Sequence, residues 1–105
     1  MKRDRLFNVA ESSVHGRGLF AAQRIPPTTL LGRYEGEPTG RDGAYVLWIE
    51  NGDGSWHGIN GRNILRFVNH SDRPNAVFEG DELWSLRSIR RGEEITHHYG
   101  DEFEA

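Results

Sequence analysis

No stretch of this 105-residue sequence keeps a helical apolar stripe for more than about three turns. Short apolar runs are instead cut by Gly, Pro, Asn and Asp at close intervals. Such a chain does not build a helical bundle; it builds short strands joined by turns. Thirteen residues are Gly and 35% are apolar, which suits a turn-rich, mostly β protein with one modest core. The length allows one domain, residues 1–105, and no second.

Residues 5–9 read as a first strand, 18–22 as a second and 29–34 as a third. Pro26 and Pro27 remove two backbone donors between the last two, so that stretch is a loop or an edge. Residues 36–43 read as a Gly/Pro/Thr/Asp-rich connection. The apolar run 44–50 is expected to be the most buried strand, turning at Asn51-Gly52-Asp53-Gly54 into a partner over 56–59. Residues 63–68 read as one short helical turn. Residues 76–78 and 83–89 flank another hairpin signal, Glu79-Gly80-Asp81, and the alternation in 83–89 leaves its buried face open. Residues 94–99 read as the last strand, and no internal repeat is visible.

Composition excludes several classes. The absence of Cys removes disulfide scaffolds, thiolate zinc, iron–sulfur clusters and a Cys nucleophile, and is compatible with a cytoplasmic location. Met1-Lys2-Arg3-Asp4-Arg5 leads into no apolar segment, so no signal peptide is expected. The longest apolar run is too short to cross a bilayer, so no membrane partner is expected. A net charge of −3 argues against direct nucleic-acid binding and favours a basic partner. A nucleic-acid-binding barrel has only Arg87, Arg90 and Arg91 behind it, and these read as a solvated surface.

Taken singly, the polar motifs are weak. Gly16-Arg17-Gly18 lacks the third glycine and following helix of a dinucleotide fingerprint and usually means a tight turn. Asn69-His70-Ser71 fits a glycosylation sequon that only secretion would use. His97 and His98 are neighbours on an expected strand and point to opposite faces, a poor metal pair; no metal is expected. No nucleophile elbow surrounds Ser12, Ser13 and His15.

Three blocks in order say more: Gly16-Arg17-Gly18-Leu19-Phe20, then Arg66-Phe67-Val68-Asn69-His70-Ser71-Asp72-Arg73-Pro74-Asn75-Ala76, then Arg91-Gly92-Glu93-Glu94-Ile95-Thr96-His97-His98-Tyr99-Gly100. Between them lie Tyr34-Glu35-Gly36-Glu37 and Ile59-Asn60-Gly61 to Asn63. This order and spacing, from His15 to Phe103, resembles the SET domain of protein-lysine methyltransferases, in the minimal layout of small stand-alone viral and bacterial members. The resemblance implies a β-clip-like fold of small sheets, with one or two short helical turns. It also implies a knot-like threading of the C-terminal segment past the Asn-His-Ser segment. S-adenosylmethionine would bind one face and a lysine-bearing peptide the other, joined by a narrow channel.

Lysine has a pKa of about 10.4 in water, so the channel's task is to favour the neutral amine by desolvation. By resemblance, Tyr99 is the catalytic tyrosine, orienting the amine through its phenol, with Tyr45 beside it; a core role competes for both. Asn69 and His70 match the cofactor-binding pair, preceded by Arg66 and Phe67, of which Phe67 reads better as core. Arg17, between Gly16 and Gly18, suits the cofactor's carboxylate. The same resemblance implies that Phe103 stacks on the adenine, with a frayed terminal aromatic as the competing reading, and that Tyr99 borders the cofactor as well.

Departures from the family pattern are informative. Asn60 stands where Asp is usual, and Asp72 replaces a common Cys, which fits an absence of structural zinc. His97 occupies the place of a channel aromatic and, with Tyr45 and Tyr99, would line the substrate channel. No lid segment follows Tyr99-Gly100 before Ala105; by analogy a homodimer would complete the site. A second reading stays open: a SET-like pseudoenzyme that binds a basic peptide without transfer.

Overall fold

The computed structural model describes residues 6–98. Among them are ten strands and one 3₁₀ turn, arranged in three small sheets. β1 (Phe7–Glu11) and β2 (Arg17–Ala21) form an antiparallel pair, with Val9 opposite Leu19. Their connecting loop closes through the Ser12 N–H, which donates to the Gly16 carbonyl at 2.8 Å. Gly16 has φ +46°, left-handed backbone that costs glycine nothing. β10 (Glu94–His97) lies antiparallel to β2 and parallel to β7 (Asn69–His70), giving the order β1-β2-β10-β7. The β7–β10 pair is the described part of the expected threading.

The second sheet orders β3 (Leu30–Arg33), β9 (Glu82–Ser85) and β8 (Ala76–Glu79) as β3-β9-β8. Gly80, at φ +60°, makes the tight β8–β9 turn. β9 stops at Ser85, earlier than the expected 89. There the Ser85 hydroxyl donates to the Pro26 carbonyl at 2.7 Å and accepts from the Thr29 N–H at 2.8 Å, tying down the proline loop. Leu83 and Ser85 face inward, which settles the open face.

The third sheet, β4-β6-β5, corrects two expectations. Residues 36–39 are not merely a connection: Gly36–Thr39 is edge strand β4, paired with β6 (Trp56–Gly61). Pro38 is tolerated there because an edge strand leaves one row of donors unused. Nor is the apolar run the most buried strand. β5 (Val46–Glu50) is the other edge, and only Leu47 is buried. The β5–β6 turn is a longer loop in which Gly52 and Gly54, not Asn51, take positive φ.

The core gathers side chains from loops as well as strands. Leu19, Ile25, Leu65, Leu83, Ile89 and Ile95 are all buried. Ile25 and Ile89 exchange two backbone hydrogen bonds at 2.8 Å outside any named strand. Leu65 comes from the 3₁₀ turn Ile64–Phe67. Asn75, 1% exposed, stands in for a strand partner of β10. Its amide donates to the Glu94 carbonyl at 2.7 Å, and its carbonyl accepts from the Thr96 N–H at 2.9 Å. No helix among the described residues is long and apolar enough to cross a membrane.

Candidate functional site

The β1–β2 loop, the residues leading into β7 and the turn before β5 converge on one cleft of about 410 Å³, within the size range of small-molecule sites. Gly16, Arg17, Tyr45, Arg66, Phe67, Asn69, His70 and His97, far apart in sequence, all border it. The shared feature is β10: pairing with β2 on one side and β7 on the other brings the first and second motif blocks against the third.

Side-chain hydrogen bonds fix the loop edge of the cleft. The Asn69 amide nitrogen donates to the His15 carbonyl (3.0 Å), the Arg17 carbonyl (3.1 Å) and Glu94 Oε2 (2.9 Å). The Ser12 hydroxyl donates to the same Glu94 carboxylate at 2.8 Å and accepts from the Val14 N–H at 2.9 Å. The Asn69 side chain therefore holds the 15–17 loop in place. Gly18 does not border the cleft. It is buried against Glu94, and a Cβ there would overlap that carboxylate.

The aromatic edge is held differently. The Arg66 guanidinium lies 4.3 Å from the Phe67 ring centroid and 5.8 Å from that of Tyr45, within cation–π range. It also donates to the Arg62 and Asn63 carbonyls at 2.9 Å. Tyr45 and Phe67 meet edge to face at 5.9 Å. Below them the buried Tyr34 hydroxyl donates to the Tyr45 carbonyl at 2.6 Å.

A much smaller cavity of about 30 Å³ adjoins the cleft and shares Ala44, Tyr45, Arg66, Val68 and His97 with it; Tyr34, Val46, Leu47 and Phe78 complete its walls. His97 is 5% exposed and meets the Phe78 ring edge to face at 5.1 Å. Burial pushes its pKa down to about 4; the charge of the neighbouring His70 pushes the same way, and a hydrogen bond with the His98 backbone opposes them only in part. The imidazole is therefore neutral at neutral pH.

Tyr99 and Phe103 lie outside the described residues. Asn60 sits within β6, opposite Glu37 and Val46. Arg87 pairs with Glu93 at 2.9 Å, so part of the Arg87/Arg90/Arg91 cluster is neutralised locally. Glu94, Ala44, Val68 and Phe78 escaped the sequence reading as site residues. Nothing along the chain marks Glu94 as a partner of Ser12, and only the fold joins them. His97 and His98 do diverge, but His98 then meets His70 and Asp72: Asp72 Oδ1 is 3.9 Å from His70 Nε2 and 4.0 Å from His98 Nε2.

Comparison with known proteins agrees with this geometry. The family model of the SET domain matches residues 16–100, and the chain belongs to that family. The histone-lysine N-methyltransferase set-2 of Caenorhabditis elegans is 31% identical over 92% of this chain. Human histone-lysine N-methyltransferase EHMT1 is 30% identical over 84% of it. The matched region spans only 8% of each of these two relatives. Among solved structures, the methyltransferase domain of human PR domain-containing protein 2 superposes with a TM-score of 0.76 at 20% identity, covering 98% of this chain and 82% of that one. A putative histone methyltransferase of Plasmodium falciparum gives 0.74 at 18% identity, covering 98% and 100%. These two likenesses establish the shared fold.

Proposed function

We propose that this SET domain is a protein-lysine methyltransferase that takes its methyl group from S-adenosylmethionine. The carrying observation is the meeting of an open cleft with a small aromatic cavity across Ala44, Tyr45, Arg66, Val68 and His97. The names of the related histone-lysine methyltransferases support the same reading.

The residues present fit the cofactor. Gly16 leaves open space where a side chain would stand, so a ligand can approach the backbone closely. Arg17, exposed beside it, suits a carboxylate, which a guanidinium can grip through two hydrogen bonds. Asn69 keeps that loop in register, and His70 also borders the cleft. When bound, S-adenosylmethionine supplies an electrophilic methyl group on a sulfonium.

The chain's remaining task is to prepare the amine. Tyr45, Phe78 and neutral His97 wall the small cavity and strip part of the water from a side chain entering it, and the Arg66 guanidinium in the same lining disfavours a second cation. An ammonium loses solvation there, so its pKa falls from about 10.4 and its proton is released to solvent. Tyr99, matched to the family's terminal tyrosine, would orient the amine lone pair through its phenol oxygen, and Tyr45 walls the cavity. The net charge of −3 favours a Lys-rich, basic protein such as a histone as partner, in the cytoplasm or in a nucleus.

The test is incubation with S-adenosylmethionine and a panel of histones and Lys-rich peptides, read by mass spectrometry. Methyl increments on lysine are expected, reduced roughly 100-fold or more in Tyr99→Phe, because orientation is lost while the cleft remains. Cofactor binding without transfer anywhere in the panel would instead identify a peptide-binding SET domain without catalysis.

A further inference from the structure

The parallel pairing of β7 with β10 sets His97 opposite His70. His97 is buried, whereas His70 and His98 both remain partly open to solvent. The His70 and His98 rings meet edge to face at 4.6 Å. Asp72, two residues beyond His70, places Oδ1 almost equally far from both Nε2 atoms, at 3.9 and 4.0 Å. One ligand atom from each of the three lies within 4.8 Å of the others.

Those separations are too long for hydrogen bonds. They are close to what a metal ion requires. Four-coordinate ligands at about 2.0–2.1 Å from an ion stand about 3.4 Å apart. The two nitrogen–oxygen distances exceed this by roughly half an ångström, and the three-atom set, spanning up to 4.8 Å, must contract around the ion. The Asp72 side chain is 95% exposed and His98 is only partly covered, so both can close on an ion without disturbing the core.

We propose that His70, Asp72 and His98 bind a divalent transition-metal ion of the zinc class at the rim of the cleft. Two imidazoles and one carboxylate select such ions over calcium or magnesium, which prefer all-oxygen sites. Three protein ligands leave the fourth position to water. The expectation of no metal came from the absence of Cys, from Asp72 in place of a common Cys, and from the spacing of the five His along the chain. That spacing separates His98 from His97 but does not reveal that the sheet brings residues 70 and 98 together.

The site is independent of the methyl-transfer reading, because it is tested with the metal alone. The full chain, stripped with a chelator, is titrated with Zn²⁺ by calorimetry, and its thermal midpoint is followed with and without the ion. One ion per chain is expected, with a rise in midpoint because only the folded chain assembles the site. Asp72→Ala, at a side chain exposed enough not to disturb folding, is expected to weaken binding roughly 10–100-fold or more. That is at least the cost of losing a ligand's outer hydrogen bond. His98→Ala is expected to do the same, and to remove the visible absorption of four-coordinate Co²⁺ in the substituted protein. No saturable Zn²⁺ binding, or binding equally tight in both variants, would overturn the proposal.

Discussion

At the residue scale, Gly16 and Gly18 look interchangeable in the sequence and are not. Gly16 serves the cleft through its positive φ and the open space beside it. Gly18 serves the support beneath, where Glu94 leaves no room for a Cβ and the Ser12 Cβ stands 3.0 Å from its place. Gly18→Ala is therefore expected to push the Glu94 carboxylate off Ser12 and Asn69, costing about 1–3 kcal/mol in thermal or chemical denaturation. A variant as stable as the parent would show that the network yields without cost. The sequence showed that Asn69 and Glu94 belong to motif blocks, and why they matter could not be read there. Asn69 borders the cleft, as its motif implies, and its amide nitrogen also ties down the 15–17 loop and Glu94. Hydrogen bonds between residues so distant in sequence leave no local periodicity to read.

At the scale of elements, β10 is where the site is assembled: it borders β2 and β7 and is stapled by Asn75. Its position and approximate limits were legible, because a Gly-Glu turn precedes an alternating run. Strand β4 was not legible, because an edge strand needs only half of its donors and so tolerates Gly36 and Pro38. Glu93 anchors the turn before β10. Burial pushes its pKa up, but the Arg90 N–H, the Arg87 guanidinium and the Asn75 amide outweigh that and hold it below the usual 4.5. A depressed folded pKa means that the unfolded chain takes up the proton first. The stabilisation is therefore complete above about pH 4.5 and is lost as pH falls through the lower folded value. The midpoint difference between parent and Glu93→Gln is expected to hold steady from neutral pH to about 4.5 and to shrink as pH falls further. A difference that ignores pH would mean that the carboxylate's charge contributes nothing.

At the scale of the whole molecule, three small sheets share one core, and the cleft opens where the β1–β2 loop, β7 and the turn before β5 meet. The absence of long helical stripes and the density of turn residues announced this class of fold. The ordering of strands in each sheet was hidden, since it depends on contacts between distant segments. Such contacts also decided that the apolar run 46–50 lies at an edge with only Leu47 buried. The most direct measurement on this arrangement is calorimetric titration of S-adenosylmethionine into the purified chain, with Arg17→Ala alongside. Saturable binding is expected, weakened at least about tenfold (roughly 1.4 kcal/mol) when the exposed guanidinium is removed. No heat of binding at millimolar cofactor, from protein shown to be folded, would contradict the assignment of this cleft.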